Sequence, residues 1–279
     1  MPAFTTPHPI TLDLDVVAGG ARITAAERAD TVVEVKPTDP ADDKDVRTAE
    51  ATTVDFADGR LVVRTPRWRG LFGRPGSVDV TVELPAGSAV TARGSLTDFR
   101  GDGPLGECRI TTSAGHIDLH RTGDLRAATA TGDVVVAHAT GRAEVTTGTG
   151  EVRIGRLDGH GAVRNSNGVT RIGEVLGDVR VNAANGDIHV DTAHGDVHAK
   201  TANGHVRVGD VARGSVVLET RVGELEVGIR EGTAAWLDVR SLAGRVHNRL
   251  TAADSPADTD ERVEVRARTS LGDVVVRRA

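Results

Sequence analysis

The sequence predicts an all-β protein: a parallel β-solenoid with about 18 residues and two strands per coil, preceded by an irregular β cap that carries one short helix. Three observations predict it. Glycine recurs at every ninth position without a slip from Gly123 through Gly132, Gly141 and onward to Gly204, and a fixed short period sustained over that length marks a repeat architecture. Within the nonads apolar residues alternate (Val179 and Val181, Ile188 and Val190, Val206 and Val208), the pattern of a half-buried strand. Finally, Asn precedes Gly only at alternate corners: Asn167, Asn185 and Asn203 stand two nonads apart, with Asp158, Leu176 and His194 at the corners between.

The third observation sets the coil length. In a parallel stack, residues one coil apart lie above one another at ~4.8 Å, so Asn167, Asn185 and Asn203 are expected to form an amide ladder at one corner. An antiparallel meander also uses Asn-Gly turns, but it would make successive corners equivalent. A hexapeptide helix lacks its period of six. A calcium-binding roll needs Gly-Gly-x-Gly-x-Asp, whereas the sixth position of the nonad reads Asn182, Asp191 and Lys200.

Composition agrees with thin, regular layers. Of 279 residues 38% are hydrophobic but only 2% aromatic, with no Tyr, so Val, Ile, Leu and Ala must form the core. The net charge of −6 argues against a general nucleic-acid binder. A single Cys excludes an intramolecular disulfide and a Cys-rich metal knuckle. Residues 1–21 contain no Lys or Arg and are broken by Pro2, Pro7, Pro9, Asp13 and Asp15, unlike an export signal or anchor. No apolar run reaches the ~18 residues of a membrane helix, and the expected location is cytoplasmic.

Residues 1–100 are expected to be the irregular β cap, continuous with a repeat region over 101–279. Alternation predicts strands at Ile10–Val16, Thr31–Val35, Arg60–Val63 and Ser77–Leu84. A helix is expected over 39–51, with Asp39 as N-cap and Pro40 in its first turn. At the other end 251–261 reads as a polar, mobile loop, and Arg262–Arg266 with Gly272–Val276 are expected to close the stack.

The units Thr201-Ala-Asn-Gly-His-Val-Arg-Val-Gly209, Thr147-Gly-Thr-Gly-Glu-Val-Arg-Ile-Gly155 and Thr269-Ser-Leu-Gly-Asp-Val-Val-Val276 resemble the bacterial β-strand-repeat family often labelled "putative adhesin", related to the Toastrack right-handed β-helices. The resemblance spans roughly the whole chain and is strongest from Gly94 onward. It implies a right-handed parallel β-solenoid without an established catalytic site. Because some relatives are joined to membrane segments and envelope-stress modules, it also implies a role in cell-envelope or stress-linked assemblies.

Candidate chemistry is sparse. Gly101-x-Gly103-x-x-Gly106 matches a dinucleotide fingerprint, but Pro104 and the strand-like Glu107–Thr112 that follows deny it the helix N-terminus it needs. His116/His120 and His194/His198 would chelate a metal on a helix; on strands each pair is ~13 Å apart and reads as exposed polar positions. Cys108 shares the inward parity of Ile110 and reads as core. Asp178 and Asp196 should stack near the spacing of glycosidase carboxylates, which supports the alternative of a carbohydrate-active β-helix enzyme. In the segment 66–75, Trp68, Arg69 and Phe72 read either as a cap loop or as an exposed docking loop. The outward positions Arg153, Arg171, His189 and Arg207 follow one another at two nonads and should stack as a basic stripe, left uncovered by Gly155, Gly173, Asp191 and Gly209. The expected function is a non-enzymatic scaffold or interaction protein for a protein or polyanion partner, without cofactor, metal or sequence-specific nucleic acid. A self-assembling filament is the remaining alternative, and the irregular cap and closing strands count against it.

Overall fold

A computed structural model describes residues 2–66, 75–250 and 261–279. The chain divides into two compact units, residues 1–140 and 141–279. Both are stacks of parallel strands, and the fold class is all-β and solenoidal.

In the second unit the strands fall into two ladders. Ala143–Thr149, Gly161–Asn167, Val179–Asn185, Val197–Lys200 and Gly214–Val222 pair in parallel, as do Val152–Leu157, Thr170–Val175, Ile188–Ala193, Val206–Val211 and Leu225–Ile229. The register is two nonads (Val163↔Val181, Ile172↔Val190) and lengthens by a single residue at Val197↔Val216 and Val206↔Leu225. Inward columns such as Val145, Val163, Val181, Ala199 and Leu218 are each at most 1% exposed. The 2.0-period alternation of the sequence is therefore the division between core and solvent.

The glycine period has a steric cause, which differs between the two corners of a coil. At the Asn-Gly corners the glycine is left-handed: Gly168 has φ +139° and Gly186 has φ +135°. A Cβ on Gly186 would also stand 2.0 Å from the carbonyl oxygen of Gly168, one rung back. At the other corners Gly177 and Gly195 lack a positive φ, yet a Cβ would come within 2.5 Å of the oxygens of Gly159 and Gly177. Both corners demand glycine, which gives the nonad period. From Gly168 to Gly204 only one corner has positive φ, and Asn167, Asn185 and Asn203 precede it, which gives the two-nonad alternation; in the coil lengthened by one residue Gly214 at the other corner also has φ +90°.

The chain does not add rungs in sequence order at its end. Arg262–Leu271 pairs with Gly214–Val222 on one side and with Ala234–Ala243 on the other, and Val274–Arg278 lies likewise between Leu225–Ile229 and Val246–Asn248. The strands expected to close the stack are therefore its penultimate rung, inserted between two earlier coils. The outermost rung is Ala234–Ala243 with Val246–Asn248. The segment 251–260, expected to be a mobile loop, lies outside the described residues.

In the first unit the 16-residue strands Thr11–Ala26 and Ala89–Pro104 run in parallel register from Thr11↔Ala89 to Thr24↔Asp102. Residue 100 thus lies inside a regular strand. From Ala89–Pro104 the stack continues through Cys108–Ala114 and Ile117–Thr122 in the two-nonad register (Val90↔Cys108, Phe99↔Ile117). The next rung, Leu125–Thr131 with Val134–Ala139, is one residue shorter (Leu125↔Cys108, Val134↔Ile117). On its other edge Thr11–Ala26 pairs in parallel with Arg60–Arg64 and Val78–Pro85, which are covered by the antiparallel strands Thr53–Ala57 and Asp30–Pro37. The helix is shorter than expected, Asp43–Glu50, and its N-cap is Asp42, whose carboxylate accepts from Lys44 N at 2.7 Å. Asp39 and Pro40 belong instead to a preceding turn closed by Asp42 N donating to Asp39 O. The buried Asp45 accepts from Asp39 N and Ser77 N and ties the helix to the strand entry. Among the described residues no helix is long and apolar enough to cross a membrane.

The steric account of the corners separates two substitutions. Gly186→Ala should cost about 2–4 kcal/mol, because strain and backbone overlap add. Gly232→Ala, at φ +80° with open space around it, should cost about 1 kcal/mol. Equal losses in urea melts would contradict a steric origin for the period.

Candidate interaction surface

The predicted stripe is present in register: Arg153 pairs with Arg171, Arg171 with His189, and His189 with Arg207, each on the rung next to it. The like charges are interleaved with acids that spacing alone did not show. Glu151 Oε1 binds Arg153 Nη2 at 2.9 Å and Arg171 Nη1 at 2.5 Å. Glu226, which follows Arg207 in the row, lies 3.7 Å from Arg207 and 2.7 Å from Arg277. Four guanidiniums thus share two carboxylates. Arg153 first and Arg171 second hold the Glu151 carboxyl below its ordinary value.

Gly155, Gly173 and Gly209 do more than leave the stripe open. The strands bend there, so that inward residues are three apart (Ile154 and Leu157, Ile172 and Val175) and two successive residues face outward. A Cβ on Gly173 would stand 2.4 Å from Gly155 O, and one on Gly209 2.6 Å from Asp191 O. The second outward residues stack as Arg156, Glu174, Thr192 and Asp210; Arg156 contacts Glu174 and Asp158 at 2.7 Å, and Asp210 contacts Arg230, just past the end of its strand, at 2.6 Å.

Three ladders tie the corners together. On the surface, Asn185 Nδ2 donates to Asn167 Oδ1 and Asn203 Nδ2 to Asn185 Oδ1, both at 2.9 Å. Inside, the residue three before the left-handed glycine donates to the glycine carbonyl of the preceding rung: Thr129 to Gly115 O, Thr201 to Gly186 O, Thr220 to Gly204 O and Thr269 to Gly223 O, at 3.0–3.2 Å. Asn165 plays this part toward Gly150 O. At Gly+1 an acceptor side chain caps the next rung's backbone N–H: Asp187 for His205, His205 Nδ1 for Glu224, Asp178 for Asp196, and Asp196 for Ser215, at 2.8–3.1 Å. The Thr-x-x-Gly and Gly-Asp/His signals stand in the sequence and could have been read as corner chemistry.

Other sequence candidates are placed as follows. Gly101 and Gly103 lie on Ala89–Pro104, and a strand follows, as the fingerprint argument required. Cys108 is buried and its thiol is pushed up to about 12, by desolvation first and by the Glu107 charge second. Asp178 and Asp196 line an open depression of about 310 Å³ together with His160, Arg180, His198 and Ser215. One oxygen of each acid is already committed to a backbone N–H. His116 is exposed at a corner and accepts from Asp133 N, whereas His198 is half-buried with an unpartnered Nδ1. Trp68, Arg69 and Phe72 lie outside the described residues.

The family model for Toastrack DUF4097 matches residues 11–277. The chain belongs to this family. Similar solved structures include a "putative adhesin" from Bacteroides fragilis (12% identity, 100% of this chain and 95% of that one, TM-score 0.38) and one from Parabacteroides merdae (13%, 98% and 94%, TM-score 0.33). A "putative lipid binding protein" from Parabacteroides distasonis is similar at 9% identity over 100% of this chain and 95% of that one, with a TM-score of 0.27. No curated protein matches the sequence.

Two measurements test this chemistry. Thr201→Val removes a buried donor at constant shape and should lower stability by about 1–2 kcal/mol, with Thr201→Ser restoring most of it. A neutral Val variant would show that the glycine carbonyl does not need the bond. The lowered Glu151 carboxyl fixes a sign: its pairing stabilises the fold above the ordinary carboxylate value of 4.5 and fades as pH falls through the lower folded value. Glu151→Gln should therefore narrow the stability gap to wild type on acidification, and a gap that widens would refute the assignment.

Proposed function

We propose that the protein is a non-catalytic, cytoplasmic interaction module whose basic row takes an extended anionic partner. The observation that carries the reading is the register of Arg153, Arg171, His189 and Arg207 on one straight ladder, where Arg153, Arg171, Arg207 and the neighbouring Arg277 share Glu151 and Glu226. Rungs at ~4.8 Å offer a linear array of donors to a chain of regularly spaced anions. A solenoid suits this use because its faces are long and regular. Asp178 and Asp196, the acids a carbohydrate-active site would use, instead serve as backbone caps, which favours the non-catalytic reading. Family membership supports a place in envelope or stress-linked assemblies.

Inorganic polyphosphate is a suitable probe. Binding should weaken as salt rises, because each neutralised anion releases counterions. Replacing Arg153, Arg171 and Arg207 together by Gln should reduce binding at least about tenfold and flatten the salt dependence, with little change in melting temperature because these side chains are exposed. Polyphosphate binding that survives the triple substitution, or none in the wild type, would overturn the proposal.

A further inference from the structure

The outermost rung of the second unit is an unfinished edge. Ala234–Ala243 pairs with Arg262–Leu271, and Val246–Asn248 with Val274–Arg278; among the described residues neither pairs on its outer side. The inward residues of this rung show the consequence. Leu237 and Val239 are only half-buried, whereas their counterparts Val216, Leu218, Val265 and Ala267 in the rungs behind are fully buried. Exposed apolar side chains gather in the same place. Of seven large ones among the described residues, five lie between 222 and 271: Val222, Trp236, Leu242, Val246 and Leu271, with Trp236 57% and Leu242 87% exposed. An open, apolar edge of this kind is an invitation to pair with another strand.

The edge strand is also complementary to itself. If two copies align antiparallel about Val239, Val239 faces its own copy, Asp238 faces Arg240, Trp236 faces Leu242 and Leu237 faces Ser241. Facing residues have the same parity, so outward meets outward and inward meets inward. The two exposed apolar residues then cover each other, and each carboxylate meets a guanidinium. Arg240 has the reach to cross: its side chain is 74% exposed and lies 3.1 Å from Asp238, while Asp238 keeps Arg268 at 3.1 Å as a second partner.

We infer that the strand Ala234–Ala243 is a homodimerisation edge, joining two copies of the chain by antiparallel pairing centred on Val239. Such an interface is isologous. It consumes the edge on both copies and yields a closed dimer, not a filament. It goes beyond the anion-binding reading and uses none of the residues of the basic row.

Sedimentation velocity of the full chain over a range of concentrations tests the inference. The wild type should show one species of two chains. Arg240→Asp places acid against acid across the axis, and Asp238→Arg places base against base; each variant alone should sediment as a monomer. Mixed together they restore both ion pairs, so a one-to-one heterodimer should form. That rescue separates lost pairing from lost folding. Hydrogen exchange should show the amides of 234–243 that point away from Arg262–Leu271 protected in the wild type and released in either single variant, while those bonded to Arg262–Leu271 stay protected in all. A wild type that is monomeric at every concentration would overturn the inference, and protection of the outward-pointing amides in that monomer would mean that the edge is covered from within the chain. Assemblies that grow without limit, dimers that persist in both single variants, or failure of the mixture to associate would overturn it as well.

Discussion

Everything in this molecule follows from the distance between rungs. Parallel strands stack at ~4.8 Å, and where the backbone turns a corner the carbonyl oxygen of one rung points into the space a Cβ of the next would occupy, as Gly186 over Gly168 O and Gly204 over Gly186 O show at 2.0 and 2.2 Å. No side chain fits, so glycine is obligatory, and its recurrence sets coil length, strand length and inward parity together. A core of small aliphatic residues follows too, since each coil is thin and each inward residue covers only its neighbours one rung away.

Corners turned this tightly leave backbone groups outside the ladders, and buried polar groups must find partners. The inward Thr, or Asn165, bonds the glycine carbonyl of the preceding rung, and Asp or His at Gly+1 receives the next rung's N–H. Much of the polar sequence that looks like chemistry is thereby structural. Asp178 and Asp196, spaced like a catalytic pair, each give one carboxylate oxygen to a backbone N–H of the next rung.

The repeat, its alternation and the Asn ladder were legible because each depends on a residue and the same residue one coil away, a relation a single sequence displays. The basic stripe was legible for the same reason, but its counter-charges were not: Glu151 sits two positions before Arg153, and Glu226 enters through a coil that is longer by one position. The order of the last rungs was hidden for a different reason. Ser241-x-x-Gly244 and Thr269-x-x-Gly272 carry the same corner chemistry, with Ser241 donating to Gly272 O and Thr269 to Gly223 O. Nothing local therefore says which coil inserts beneath the other. The helix start was misplaced because Asp39-Pro40 suits a turn as well as a cap, and Asp42 offered a second N-cap three positions on.

The claim that the structural unit is one coil with two unlike corners, and not one nonad, is open to a direct cut. Deleting residues 168–185 joins Asn167 to Gly186 and preserves the Asn, Thr and glycine ladders with one rung fewer. Deleting 168–176 also keeps the glycine period, but it joins Asn167 to Gly177, puts a corner without positive φ where a left-handed one is needed, and exchanges the two ladders for every later strand. The melting curve of the two variants, followed by circular dichroism, is the decisive measurement. The account predicts a cooperative, β-rich transition for the deletion of a whole coil and its loss for the deletion of a single nonad. Two equally cooperative transitions would contradict it.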